Sequence, residues 1–184
     1  VVSPKDQGGD DAKDNDIDST TFTTAIVTVA AGQQNLTLDA GLYQKASLGD
    51  KVWLDCDADG IQDANEPGVA GVTVQLKSAA GTVVSTTTTD ASGNYLFSNL
   101  TPGTYSVTFV KPANYSFTTK DASGSTDVSD SDADIVTGNT IQTVLISGEN
   151  DLSWDAGLTT PEVCVTFDFS GSSATCGTVG NMLT

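Results

Sequence analysis

The sequence predicts an all-β sandwich, and three observations carry that expectation. Apolar residues alternate in short runs and do not recur at the three-to-four spacing of a helix. The runs are bounded by Gly, Pro, Asn and Asp, and they return at the roughly 8 to 12 residue spacing of a sandwich. Aromatic residues make up only 7% of the chain, while β-branched Thr and Val fill the runs.

In chain order, residues 51–54 form a first run, and residues 69–77 a second in which Val72, Val74 and Leu76 share a face. Residues 82–89 are largely β-branched and uncharged. The turn Asp90-Ala-Ser-Gly93 leads into 94–98, where Tyr95 and Phe97 share a face. The stretch Leu100-Thr-Pro-Gly-Thr-Tyr105 opens the run 105–110. Tyr105 after a Pro-Gly turn predicts a tyrosine corner, its hydroxyl bonded back to the turn. Runs at 140–146 and 151–154 complete about seven strands.

An internal repeat organises the chain. Leu38-Asp-Ala-Gly-Leu42 lies over Trp154-Asp-Ala-Gly-Leu158 at an offset of 116 residues, from Asp39 to Asp155. The same offset places Asp11 on Asp127, Gly32 on Gly148, and Asp14, Asp16 and Asp18 on Asp130, Asp132 and Asp134. A period of that length is one sandwich domain. Residues 1–43 are therefore expected to be the rear portion of a first β-sandwich repeat, 44–158 a complete repeat, and 159–184 the start of a different β module. The short connector 43–47 predicts a stiff join.

Residues 55–66 read Asp-Cys-Asp-Ala-Asp-Gly-Ile-Gln-Asp-Ala-Asn-Glu. Carboxylates stand at places one, three, five, nine and twelve, with glycine at six, which is the spacing of an EF-hand calcium loop. A hard cation wants about six to eight oxygens, and a short loop supplies them only by curling around the ion. Asp55, Asp57 and Asp59 are the expected side-chain ligands, Ile61 a backbone carbonyl, Asp63 a direct or water-mediated ligand, and Glu66 the closing carboxylate. The flanks are strands, so the ion's expected task is to lock a loop and not to open a helix pair. A second site is expected at Asp127, Asp130, Asp132 and Asp134, where alternate carboxylates share one face of an extended chain and repel one another without a cation. Asp11, Asp14, Asp16 and Asp18 repeat that register, so several Ca2+ ions are expected. Asp90 and Asp121 open Asp-Ala-Ser-Gly turns and are expected to bond their own backbone.

These residues resemble a known family: the B-type repeats of the staphylococcal serine–aspartate surface proteins, calcium-binding relatives of the collagen-adhesin B domain. The resemblance rests on Leu48-Gly-Asp-Lys-Val-Trp-Leu-Asp55, the loop to Glu66, Pro67-Gly-Val-Ala-Gly-Val-Thr-Val-Gln-Leu76, Thr88-Thr-Asp-Ala-Ser-Gly-Asn-Tyr95, Leu100-Thr-Pro-Gly-Thr-Tyr105 and Asp155-Ala-Gly-Leu158. It implies a sandwich of prealbumin-like topology, several calcium ions per module, and a place in the stalk of an exported bacterial surface protein.

Composition excludes other classes. The 24 acidic residues against 7 basic ones give a formal charge of -17, which disfavours nucleic-acid phosphates and anionic membranes. No apolar run approaches the roughly 20 residues of a membrane span, so no membrane insertion is expected. With no His and no Arg, the chain has no Ser-His-Asp or Cys-His arrangement, and no enzyme is expected. Of the three cysteines, Cys164 and Cys176 lie within one hairpin's reach and could pair in an oxidising compartment, which would leave Cys56 unpaired. The expected function is a calcium-stabilised spacer, stalk or filament-forming repeat at the bacterial cell surface. Its expected partners are neighbouring repeats of the same protein, with head-to-tail self-association by strand complementation if the unfinished ends pair. The alternative is an adhesin module that binds a host or matrix protein or glycan, with Tyr43 and Tyr115 as its candidate contact aromatics.

Overall fold

The structure is a computed structural model and describes residues 1–160. The chain forms two compact units, Val1–Lys45 and a second beginning at Ala46. Expectations for 161–184, including the start of a different module and the Cys164–Cys176 pair, lie outside the described residues.

The second unit is all-β, with no helix among the described residues. Its strands are β1 (Ala46–Leu54), β2 (Thr73–Ser78), β3 (Val83–Thr88), β4 (Asn94–Leu100), β5 (Gly103–Val110), β6 (Ser116–Phe117), β7 (Thr143–Leu145), β8 (Asn150–Asp151) and β9 (Ala156–Thr159). One sheet runs β4-β1-β9-β6 with β8 also on β1, and the other runs β3-β2-β5-β7. Alternation explains the layers. Val74 and Leu76 of β2 are fully buried and face Val107 and Phe109 of β5, while Tyr95 and Phe97 of β4 come from the facing sheet. Each such aliphatic side chain contributes about 1.5–3 kcal/mol on burial. The Tyr95 ring meets Phe97 and Phe109 edge-on, with centroids 5.9 and 5.6 Å apart. The Tyr105 hydroxyl donates to the Thr101 carbonyl at 2.8 Å, which is the predicted tyrosine corner.

The expected strand at 151–154 is placed differently. Only Asn150–Asp151 pairs there, and the closing strand is Ala156–Thr159, which runs parallel to β1 with Val52 opposite Ala156 and Leu54 opposite Leu158. Periodicity missed β9 because Ala156, Gly157 and Leu158 are all buried, so nothing alternates. β1 is likewise covered on both faces near its end. Val52 and Trp53 point to opposite sides and both are fully buried. Gly157 makes room for the indole, since a Cβ there would lie 2.9 Å from a Trp53 ring carbon.

The first unit has the bonding pattern of the rear of the second. Asp16 N–H donates to the Asp39 carbonyl and Asp39 N–H to Asp16 Oδ2, at 3.0 and 2.7 Å; Asp132 and Asp155 make the same pair at 2.9 and 2.7 Å. Gly41 N–H donates to the Asn15 side chain as Gly157 N–H does to the Ser131 hydroxyl. The ion pairs Lys5–Asp6 and Lys120–Asp121 correspond, as do the pairings Val2 with Leu42 and Phe117 with Leu158.

The Tyr95 hydroxyl is buried and donates to the Trp154 carbonyl at 2.6 Å, joining β4 to the segment ahead of β9. Tyr95→Phe removes the donor and leaves that carbonyl unpaired in the core. The expected cost is about 1–2 kcal/mol, read as a lower midpoint in urea with an unchanged slope.

Candidate metal centre

Loop 55–66 leaves β1 at Leu54 and folds back on itself through its own carboxylates. Asp55 is almost wholly buried; Oδ1 accepts from Ala58 N–H at 2.6 Å, and Oδ2 accepts from Gly60 N–H at 2.8 Å and the Thr118 hydroxyl at 2.5 Å. Gly60 has φ +84°, and a Cβ would lie 2.6 Å from the Thr119 carbonyl oxygen, so glycine is required for both the turn and the close approach. Asp59 Oδ1 accepts from Ile61 N–H at 2.7 Å. Glu66 is buried and ties the loop's ends together, Oε1 accepting from Cys56 N–H at 2.7 Å and Oε2 from Asp63 N–H at 3.0 Å. Burial raises the Glu66 pKa, opposed by those two amide bonds. Desolvation and then the charge of Asp59 raise that of Asp57.

Carboxylate oxygens of Asp55, Asp57 and Asp59 lie within 4.8 Å of one another, as the loop spacing predicts. Asp63 is exposed at the loop's far side. Ile61 is not a free-standing loop residue. It bridges Asp130, and Gln62 N–H donates to the Ser129 carbonyl at 2.7 Å, so the loop is sewn to the second acidic segment.

In that segment Asp130 and Asp132 are buried. Asp130 Oδ2 accepts from the Ser125 hydroxyl at 2.9 Å, while its buried Oδ1 has no partner. Asp132 Oδ2 accepts from Asp155 N–H, and burial together with Asp130 and Asp127 pushes its carboxyl up to about 8. Asp127 is exposed. Asp134 is placed apart from them: its Oδ1 accepts from Val136 N–H, Thr137 N–H and the Thr137 hydroxyl, and these bonds lower its pKa. Asp18 caps Thr20 and Thr21 in the same way. Asp11, Asp14 and Asp16 come together, with oxygens within 4.8 Å, and Asp14 Oδ1 is buried without a partner.

Asp90 and Asp121 differ from each other. Asp90 accepts from Ser92 and Asn94 amides as expected, whereas Asp121 pairs with Lys120. Cys56 corrects the expectation of a free thiol, because it is disulfide-bonded.

Sequence reasoning also passed over Asp155. It is fully buried, Oδ1 accepts from Lys51 N–H at 3.0 Å, Oδ2 has no partner, and burial followed by the Asp50 charge pushes it up to about 9. The only available signal was its place in the repeated Asp-Ala-Gly-Leu motif.

Residues 46–158 match the family model of the SdrD B-like domain. The chain is 43% identical over 147 residues to serine-aspartate repeat-containing protein F of Staphylococcus epidermidis, covering 79% of the chain and 8% of that protein. It is 53% identical over 91 residues to a bone sialoprotein-binding protein of Staphylococcus aureus, covering 48% of the chain and 8% of that protein. The chain thus spans less than a tenth of the length of these two relatives. Among solved structures, the minor pilin GBS52 of Streptococcus agalactiae aligns with a TM-score of 0.43 at 15% identity, covering 79% of the chain and 61% of the pilin. No helix among the described residues is long and apolar enough to cross a membrane. Homologues in this family are cell-wall surface proteins of Gram-positive bacteria. The chain therefore belongs to the SdrD B-like domain family, the B-type repeats of serine-aspartate repeat surface proteins.

Proposed function

We propose that the module beginning at Ala46 is a calcium-stiffened spacer in a surface stalk, joined to neighbouring repeats of the same protein. The observation that carries this reading is the union of two acidic segments. The triad of Asp55, Asp57 and Asp59 lies on a loop bonded to Asp130 and Ser129, and Asp130 presents a buried oxygen with no partner. An all-oxygen donor set of this density suits a hard cation. Asp55, Asp57, Asp59, the Ile61 carbonyl, Asp63 and Glu66 would hold one ion, and Asp127, Asp130 and Asp132 would contribute to another. A carboxylate has about four lone-pair sites, so the amide bonds of Asp55 and Glu66 leave capacity for a cation. The ion supplies positive charge where like charges are desolvated. The protein supplies the cage: Gly60 sets the turn, Glu66 closes it, and the bridge to Asp130 makes binding dependent on the folded state.

The adhesin alternative draws support from the name of the sialoprotein-binding relative, but its aromatic candidates are engaged elsewhere. Tyr115 packs against the core, and the Lys45 amino group lies 5.4 Å from the centre of the Tyr43 ring.

Binding to the folded state alone adds about 1.4 kcal/mol per ion when free calcium is tenfold above the dissociation constant. Calcium at millimolar concentration is therefore expected to raise the melting temperature by about 10 °C relative to chelator. Equal melting in excess chelator and in calcium, with no heat in a calorimetric calcium titration, rejects the reading.

A second expectation concerns pH. The carboxyls of Asp132 and Asp155 stand at about 8 and about 9 in the folded ion-free protein, against 3.8 for an aspartate in water. The folded state binds more protons across that interval, so stability is greatest at its acid end and falls as pH rises towards 8 to 9. Ion-free protein is expected to melt lower at pH 8 than at pH 5, and calcium to flatten or reverse that slope. Melting curves at both pH values, with and without chelator, check the sign.

Gly60→Ala places a Cβ against the Thr119 carbonyl at positive φ. A loss of about 1–3 kcal/mol is expected, together with weaker calcium binding in the same titration.

A further inference from the structure

Fixed charge is absent from the strands along one flank of the sandwich. β3 and β4 are each the end strand of their own sheet, and they approach one another along the same flank. Their 6 and 7 residues, Val83–Thr88 and Asn94–Leu100, include no acidic or basic side chain, in a chain whose formal charge is -17. Val83, Val84 and Leu96 stand 44, 54 and 51% exposed along it.

Among the described residues β3 pairs with β2 on one side only, so half of its backbone groups face away from the sheet. Which half follows from the ladder. Thr89 N–H donates to the Val72 carbonyl, and Thr87 and Ser85 lie two and four places back, opposite Val74 and Leu76. Those three bond inward to β2, and Thr86 and Thr88 therefore aim their N–H and C=O outward. Charge, proline and bulges are the devices that blunt a sheet edge. β3 has neither charge nor proline, and its irregularity lies at Val84, ahead of this stretch.

We infer that this flank pairs with the same flank of a second copy of the chain. β3 runs antiparallel to its two-fold mate with Thr86 opposite Thr86, and the sheet β3-β2-β5-β7 continues across the pair. The occupant follows from charge. An acidic strand is repelled by the chain's net charge, and a basic one finds no carboxylate on β3 or β4 to neutralise it. A neutral extended strand meets neither cost, and a second copy brings one already ordered in a sheet. The two-fold also keeps the nearest acid apart. Asp90 lies four residues beyond Thr86, so the two Asp90 stand eight residues apart along the paired strands. That is roughly 26 Å, well beyond the ~8 Å screening length of physiological salt. No strand leaves its own sandwich, so the contact opens no core and uses no ion.

The test is sedimentation of the full chain from about 10 μM to about 1 mM, the range of a contact this small, at about 0.15 M and about 0.5 M sodium chloride. A monomer–dimer equilibrium is expected that strengthens with salt, because screening reduces repulsion between copies while the contact itself holds no ion pair. Amide exchange at Thr86 and Thr88 is expected to slow as the dimer fills, with Ser85 and Thr87 unchanged. Thr86→Lys sets like charges opposite each other and is expected to weaken association about fivefold. Thr86→Pro removes an outward N–H without touching the β2 ladder, for an expected loss of about tenfold or more. Val144→Lys, at an exposed position of β7 at the other end of the sheet, is expected to leave the dimer intact. A chain that stays monomeric at the highest concentration in high salt overturns the inference. So does association that weakens with salt, that resists either Thr86 variant, or that Val144→Lys abolishes.

Discussion

A single buried carboxylate, Asp155, joins the parts of the sandwich that are farthest apart in sequence. Between β8 and β9 the chain leaves the β1 ladder, and Lys51 N–H would be stranded in a buried sheet. Asp155 Oδ1 accepts it, so a side chain replaces the missing carbonyl of the ladder. The Asp155 backbone is committed too, through the reciprocal pair with Asp132. First strand, last strand and acidic segment thus meet on one residue. The arrangement is costly, because desolvation favours the neutral acid and Asp50 nearby adds like charge. It persists because removing either partner would leave an unpaired amide in the core, a loss on the order of 1–3 kcal/mol.

From that junction the metal centre follows. Pinning Asp132 to Asp155 draws the acidic segment inward, so Asp130 is buried beside Ile61 and not held out in water. An acidic loop left to itself would spread, because like charges relax by separating. Here the strand pairing prevents separation, and the fold itself concentrates negative charge at the end of β1. Protons relieve the strain at low pH. At neutral pH the proposed divalent cation would take that part, acting on stability and not on shape.

Much of this was legible in the sequence. Alternation at Val72, Val74 and Leu76 and at Tyr95 and Phe97 gave the two layers, and the Pro-Gly turn before Tyr105 gave the corner, because these are local patterns with local causes. The clustering of Asp55, Asp57 and Asp59 was equally readable, since alternate residues of one short loop around Gly60 bring their carboxylates together. What escaped was non-local. Nothing in Ala156-Gly157-Leu158 marks a strand, because its burial on both faces depends on Trp53 and Thr118 far away in sequence. Asp134 and Asp18, expected as ligands by spacing, each also cap a local turn, because a Thr three places on offers both amide and hydroxyl.

The matching bonds of the first unit and of the later part of the second separate local from collective order. Their hydrogen bonds correspond residue by residue, down to the amide donated by Asp39 or Asp155 to the carboxylate 23 residues earlier. Their burial corresponds only in part: Val2 and Phe117 are both buried, as are Asn15 and Ser131, whereas Leu42 is exposed and Leu158 is not. Each copy of the polar network is contained within some forty residues. Hydrophobic burial, the larger source of stability, is collective: in the second unit Ala156 and Leu158 are covered by β1, about a hundred residues earlier in the chain.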